Sequence, residues 1–517
     1  MLRLRGKSLV RTGFFRTDPS IGSQPGNPYY FIDPEDPLFA TANEFRYTDD
    51  PTMKSPILER SNVGMGLLLA NSDKTNLTLI NSLYRKLRDL EVNTLKRFSV
   101  VTASDRKMRV SGLGIRELLL INEALQAEGE TRELASQYFS RLLHNQADVS
   151  LVVADYFKPL ITLLDADNSG VALSALANTS ACYSHSSVSV SLGQFGFVPT
   201  GGLSFALART AWHIGEFLLL TSRQISGSNI LYSGLAKRWI SPEGIRFMEI
   251  ASEHQLDVSE KDAAALLSEH FLTPPQDGFS LKTFVPLIDE IFQADSVGEI
   301  QRSLKHLAAS SSDPKLVAFS EECISRIELS CPRALQLGLT LVKRARSEIG
   351  RITRELETEQ GADTLNFIQS RPRLMQAEIL KPALIRSLQD EVRVASHLIE
   401  MADLGQVLHG HIVGNPHCFS NSEFRESGKL DSFFEPIANE YVYSERSDFP
   451  LSAHPKLRRH HPDYNPETGL DHDPAFMQAE LVRWNPNCMQ PEIERIRSAV
   501  SGLSVEEIRR RPDIQWD

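Results

Sequence analysis

The sequence predicts an α/β fold with parallel strand pairing, on three observations. Short apolar runs alternate with amphipathic helical stretches from residue 57 to residue 166. From residue 203 the pattern turns mostly helical. Segments rich in Pro, Gly and Asp, or in Pro, Asn and His, flank this ordered part at both ends. Alternating β and α segments belong to folds whose strands lie parallel, since each helix carries the chain back to the same end of the sheet.

Order begins near Ile57. VGMGLLLA (63–70) has the length and composition of a buried strand. Leu77, Ile80, Leu83, Tyr84, Leu87 and Leu90 then recur at helical spacing and give that helix one apolar face. RFSVVTAS (97–104) is the next strand, residues 115–147 are helical, and KPLITLLDA (158–166) is a third strand. LSFALARTAWHIGEFLLLTS (203–222) collects small and large apolar residues on one face. Residues 260–270, 281–308 and 314–345 read as amphipathic helices. Residues 349–385 are charged and polar, with Pro372 and Pro382, and read as an insertion. Helix resumes over SLQDEVRVASHLIEMADLGQVL (387–408).

The ends differ from the middle. MLRLRGKSLVRTGFFR places Arg3, Arg5, Lys7, Arg11 and Arg16 before the first acid, Asp18, among Leu2, Leu4, Leu9, Val10, Phe14 and Phe15. An arginine-rich, acid-free, potentially amphipathic start without a secretory core is the signature of a mitochondrial presequence, so residues 1–17 are read as a targeting segment. Residues 18–56 (DPS, QPGNP, DPEDP, DDP) cannot hold a long helix or a central strand and read as an extended arm. Residues 415–517 carry too little apolar periodicity for a large core of their own and are read as an extension lying on this protein or on a partner. Ser504 and Glu507 form an S-x-x-E capping box near its end. The organisation expected is therefore a core over 57–300, a helical region over 301–414 with the 349–385 insertion, and arms on both sides.

Composition narrows the function classes. The chain has 517 residues, 41 % hydrophobic and 23 % charged, as globular proteins do. No run approaches the ~18–20 apolar residues of a membrane span. A net charge of −11 argues against nucleic-acid binding by the surface as a whole while leaving local basic patches open. The five cysteines (Cys182, Cys323, Cys331, Cys418, Cys488) form no C-x-x-C, which points to neither a zinc knuckle nor a disulfide framework and fits a reducing compartment. His454, His460, His461, Asp471, His472 and Asp473 match no standard metal spacing and read as a solvated or partner-facing loop. KLRRHH (456–461) is a short basic stretch flanked by acids. Cys182 and His185 read as packing residues, and the arginines at 509–511 as helix C-terminal charge.

Four stretches in order carry a family resemblance. LTSRQISGSNILYSGLAKRWI (220–240), IDEIFQADSVGEIQRSL (288–304), ISRIELSCPRALQLGLTLV (324–342) and GFVPTGGLSFALAR (196–209) together resemble the crotonase superfamily. Within it, they are similar to the 3-hydroxyisobutyryl-CoA hydrolases, over roughly residues 57–414 with the insertion excluded. The resemblance implies a crotonase-like spiral of ββα units with a helical C-terminal region, and an acyl-CoA thioester as the substrate. It also implies a site with two backbone N–H groups facing the thioester oxygen, where negative charge develops, and carboxylates that activate water or assist acyl transfer.

Against that pattern this chain is depleted. The first oxyanion loop corresponds to VSGLGIR (110–116), with Ser111 at the donor position, Leu113 in place of a glycine and Gly114 in place of an aspartate. The second corresponds to LDADNSGVALS (164–174), shorter by two residues, with the donor near Ser169 or Gly170. The family's two carboxylate positions fall on Leu192 and Thr200, neither of which accepts a proton near neutral pH. Its C-terminal charged pair falls on Gln406, Val407 and His409. Gly196, Pro199, Gly201 and Gly202 keep the turn. No catalytic residue, metal or cofactor is expected. The resemblance implies a non-catalytic subunit of a large mitochondrial assembly in the matrix, the mitochondrial ribosomal small subunit, with mainly protein neighbours, RNA contact confined to patches and no membrane span. The alternatives are an active 3-hydroxyisobutyryl-CoA hydrolase of valine breakdown, or a protein that binds a CoA ester without turning it over.

Overall fold

The computed structural model describes residues 57–61, 64–70, 76–93, 96–103, 113–156, 158–177, 179–241, 244, 271–272, 279–360, 373–412, 430–437 and 489–510. The targeting segment 1–17, the arm 18–56, the expected helix 260–270, the basic stretch 456–461, the His/Asp cluster of residues 454–473 and Ser111 lie outside them. The described residues all belong to one compact unit, Pro51–Pro450 with Val482–Asp517.

The alternation read from the sequence is present. β1 (Ile57–Ser61) forms an antiparallel pair with β2 (Gly64–Ala70). α1 (Leu77–Val92) then crosses over to β3 (Lys96–Ala103), parallel to β2. Asn76 starts α1 by accepting the Leu79 N–H on its Oδ1 at 2.8 Å, which satisfies one of the free donors of the first turn. The apolar stripe expected from the sequence faces inward: Leu77, Ile80, Leu83, Leu87 and Leu90 are buried. α2 (Ile115–Leu125) and α3 (Glu130–Ala154) follow, and β4 (Leu160–Leu163) joins β3 in parallel. Gly129, at φ 74°, breaks the expected 115–147 helix into these two. The strand expected at 158–166 also divides, because β5 (Ala166–Asp167) leaves the main sheet for a second one.

α4 (Ser169–Ala175), β6 (Thr179–Cys182) and β7 (Ser187–Ser189) come next. α5 (Leu203–Ala208) and α6 (Ile214–Thr221) precede β8 (Ile225–Ser226), α7 (Ser228–Tyr232), β9 (Arg238–Ile240) and β10 (Phe271–Leu272). The main sheet runs β1-β2-β3-β4-β6-β9-β10, parallel from β2 to β9 and closed at each edge by an antiparallel strand. A small sheet, β5-β7-β8, stands beside it. Leu160, Ile161 and Thr162 of β4 are all buried, as a strand covered on both faces must be.

The second half is helical, as expected, and its breaks have local causes. α8 (Val285–Phe292) ends before Ser296, which caps α9 (Val297–Ser310) by accepting the Glu299 N–H. Asp313 and Pro314 start α10 (Pro314–Glu328), and Pro332 starts α11 (Pro332–Gln360) where its missing N–H costs nothing. The stretch read as an insertion, 349–385, is continuous with its flanks wherever it is described. α11 runs on to Gln360 and α12 (Arg373–Ile399) begins before Pro382, which it accommodates internally. Ile352, Ala383 and Leu384 are buried, so the two helices pack as a pair even where the surface composition is polar. α13 (Ala402–Ile412) then turns back onto α2, where Asn122 donates to the carbonyls of Ile399 at 2.6 Å and Met401 at 2.9 Å.

The last described helices, α14 (Gln490–Ser501) and α15 (Val505–Arg510), settle where that part of the extension lies. Ile493 and Ile496 of α14 are buried against α2 and α3 of this same chain. The Ser504–Glu507 capping box forms reciprocally: the Ser504 N–H donates to Glu507 Oε2 at 2.8 Å and the Glu507 N–H to Ser504 Oγ at 3.2 Å.

One buried ion pair binds the two halves. Glu216 of α6, with no solvent exposure, accepts from Arg346 Nε and Nη2 of α11, both at 2.8 Å. Arg346 Nη1 also donates to the Thr210 carbonyl at 3.3 Å. Arg346→Ala leaves the Glu216 carboxylate buried without a counter-charge. Urea unfolding of that variant is expected to show a loss of about 3–5 kcal/mol, against little change for a Lys or Arg substituted at an exposed site.

Candidate functional site

The turn GQFGFVPTGG (193–202) organises the region where the sequence places a site. A short 3-10 helix, Leu192–Phe195, ends at Gly196, whose φ of 73° is left-handed. A Cβ there would lie 3.1 Å from Val407 Cγ1 and 3.2 Å from Leu404 Cδ1, so α13 is packed directly on the turn. Gly201 and Gly202 follow with φ of 65° and 82°. At Gly201 a Cβ would meet the Gln146 side chain at 2.8 Å, and at Gly202 Leu176 Cδ1 at 3.0 Å. The left-handed conformation favours glycine at this pair, and a side chain there would also have to displace Gln146 or Leu176. Ser150 of α3 donates its hydroxyl to the Gly201 carbonyl at 2.7 Å. The Gln146 amide, also from α3, is buried against the turn with neither its nitrogen nor its oxygen hydrogen-bonded.

The positions expected to have lost their carboxylates are packed into the core. Leu192 is 3 % exposed and Thr200 2 %. On α13, Gln406 and His409 face solvent, while Leu404 and Val407 face the turn. The contact of α13 with Gly196 is therefore apolar.

The second loop is built around Asn168 rather than a glycine. Asn168 holds φ 50°, and its Oδ1 accepts the Ser191 N–H at 2.8 Å, which ties the loop to the turn. Ser169 and Gly170 open α4 and are buried; the Ser169 hydroxyl has no hydrogen-bond partner. The loop's two acids serve the small sheet instead. Asp165 accepts from the Ser187 N–H at 3.0 Å, and Asp167 accepts from the Ser189 hydroxyl. Of the first loop, Leu113 is buried and Gly114 is the residue at which α2 begins. The structure thus brings Ser169, Gly170, Leu192, Gly196, Pro199, Thr200, Gly201 and Gly202 into one region. Cys182 is buried, with its thiol pushed up to about 12 by burial, whereas His185 is exposed at the edge of the Tyr183 ring.

Among the described residues a carboxylate does stand at the turn, and the sequence reading missed it. Glu391 of α12 is 1 % exposed. Its Oε2 accepts the Gly202 N–H at 2.7 Å; its Oε1 accepts the Ser204 N–H at 2.7 Å and the Ser204 hydroxyl at 2.6 Å. These donors are the free amides at the start of α5, so Glu391 caps that helix from a distant element. Burial pushes its pKa up to about 7, against the pull of the Ser204 and Gly202 hydrogen bonds, with nearby Asp390 adding to the rise. The signal was present in the sequence: Leu384, Leu388, Glu391, Ala395 and Leu398 lie on one buried stripe of α12. Among the described residues no group of three or more His, Cys, Asp or Glu is placed to hold a metal ion.

A mainly parallel sheet with antiparallel edge strands, a glycine turn packed against a helical second half and a loop tied to that turn through Asn168 define a crotonase-type α/β protein. The sequence profile of the enoyl-CoA hydratase/isomerase family matches residues 71–369, more than half of the chain, and the chain belongs to that family. It is similar to the small ribosomal subunit protein mS47 of Neurospora crassa, 22 % identical over 309 residues, which is 53 % of this chain and 60 % of that protein. It is also similar to the mitochondrial 3-hydroxyisobutyryl-CoA hydrolase of Danio rerio, 25 % identical over 252 residues, which is 46 % of this chain and 63 % of that one. Both matches cover less than two thirds of the relative's length. A carnitinyl-CoA dehydratase from Mycobacterium thermoresistibile shares the fold with a TM-score of 0.59 at 19 % identity, over 76 % of this chain and all of the other.

Glu391 carries a pH dependence of known sign. Its folded pKa lies above the unfolded one, so between about pH 4.5 and 7 the folded chain holds a proton that the unfolded chain has released. Stability from this group is therefore greatest below that window and falls as pH rises through it, by a loss on the order of 3 kcal/mol. Urea midpoints measured at about pH 5 and about pH 8 are expected to differ less in Glu391→Gln than in the wild type. Equal differences would show that Glu391 is ionised throughout.

Proposed function

We propose that this chain is a non-catalytic crotonase-fold subunit of a mitochondrial assembly, the mitochondrial small ribosomal subunit, and that it works in the matrix without a cofactor. The observation that carries the reading is the filling of the site. Thioester hydrolysis needs a free carboxylate beside the reacting carbonyl and open space for the acyl group. Leu192 and Thr200 supply neither proton acceptor nor space, and the Val407–Leu404 contact at Gly196 seals the side where the family carries charge. The carboxylate that remains, Glu391, has both oxygens engaged by the α5 amides. The similarity to a protein named as a small ribosomal subunit component supports the choice of assembly, and the mitochondrial relatives support the compartment.

Sedimentation tests the assignment. In a sucrose gradient of mitochondrial lysate the chain is expected to peak with the small ribosomal subunit and to move with it when magnesium is withdrawn. A peak confined to the soluble fractions would sink the ribosomal reading. The purified chain is expected to leave 3-hydroxyisobutyryl-CoA uncleaved; turnover in the ordinary enzymatic range, ~1–10³ s⁻¹, would establish the hydrolase alternative instead. Restoring the acid alone is not expected to restore activity. Leu192→Glu places a charge in a packed core, so it lowers the unfolding temperature and yields no thioester cleavage.

A further inference from the structure

The loop between α5 and α6 does something the fold does not require. Trp212 and His213 are consecutive non-glycine residues in the left-handed region, at φ 51° and 54°. L-residues avoid that region because Cβ crowds the neighbouring carbonyl. The surroundings enforce it. Thr210 Oγ1 donates to the Leu207 carbonyl and accepts the Gly215 N–H, both at 2.7 Å. The Ala211 N–H donates to the Ser233 carbonyl at 3.2 Å, and His213 Nδ1 meets Asp289 at 2.8 Å. A loop held this firmly nevertheless presents an indole to solvent: Trp212 is 48 % exposed, the one aromatic among the large exposed apolar side chains of the described residues.

Three residues before it stands a cation. Arg209 is exposed, with its guanidinium 5.7 Å from the Phe205 ring centroid and, among the described residues, no carboxylate bonded to it. Protein packed around it lowers its pKa with no acid to oppose the shift. Of the acids around the loop, Glu216 is paired with Arg346, and Asp289 is hydrogen-bonded to His213 Nδ1. Three residues span at most about 11 Å, so indole and guanidinium lie within reach of one nucleotide and its neighbouring phosphate.

We propose that residues 209–213 form an RNA contact in which Trp212 stacks on an unpaired base and Arg209 receives the adjoining phosphate. An aromatic platform beside a lone guanidinium is the chemistry that takes single-stranded nucleic acid without sequence readout. A protein partner would need an apolar pocket for the indole and an acid for Arg209; the RNA backbone supplies the anion at every step. The source of the RNA rests on the ribosomal reading above, whereas the contact itself is a property of this surface.

Fluorescence anisotropy of the full-length chain with a short, mixed-sequence single-stranded RNA tests the contact. Trp212→Gly and Arg209→Gln are each expected to weaken binding about tenfold, within the range stacking contacts contribute. Trp212→Gly is expected to leave the unfolding temperature unchanged or higher, since glycine takes the left-handed conformation freely. Unaltered RNA affinity in both variants, or no binding by the wild type, would overturn the proposal. In mitochondria, a photo-crosslinking amino acid in place of Trp212 is expected to give adducts destroyed by ribonuclease. Nuclease-resistant, protease-sensitive adducts would assign the loop to a protein and overturn it. A chain that sediments with the small subunit yet gives no RNA adduct would defeat this contact alone. A chain that binds RNA through Trp212 but stays in the soluble fractions would defeat the ribosomal reading alone.

Discussion

The fold turns on the capture of the Gly201–Gly202 turn by Glu391. Two successive left-handed glycines bring the backbone against α3 and α4, and they aim the first amides of α5 toward α12. Glu391 accepts those amides. A buried carboxylate is tolerable only when its oxygens are bonded, and buried amides are tolerable only when they find an acceptor. Each satisfies the other, so residues 189 apart in one case and 187 in the other are fixed together. The parallel sheet and the helical second half are thereby joined at one point. The Glu216–Arg346 pair repeats the arrangement between α6 and α11.

The same capture fixes the surroundings of the turn. In this chain Leu192 and Thr200 are buried, Leu404 and Val407 pack on Gly196, and Glu391 caps α5. The glycines hold left-handed angles that strain any other residue, against side chains packed close to their backbone.

Much of this was legible in the residues. The strands read at 63–70 and 97–104, found at 64–70 and 96–103, the stripe of α1 and the Ser504–Glu507 capping box followed from spacing and end chemistry, which are local. The helices were legible in type but not in extent. Residues 203–222 form two helices because Trp212 and His213 are forced left-handed between anchors that are distant in the chain, Ser233 and Asp289. Residues 349–385 read as an insertion because their composition is polar, yet their described part belongs to two long helices that bury a narrow stripe against each other. Glu391 was missed because a glutamate inside a charged helix gives no sign of burial unless its place on the apolar stripe is noticed.

By itself the sequence determined the class of fold, the order of its elements, the family and the absence of acids at positions 192 and 200. These depend on periodicity, turn residues and residue identity, all short-range properties. Only the tertiary structure decided that Leu192 and Thr200 are buried, that Glu391 and Arg346 join distant helices, and that Trp212 and Arg209 are exposed. Burial and charge pairing depend on what distant segments bring to a residue, and no local pattern encodes that.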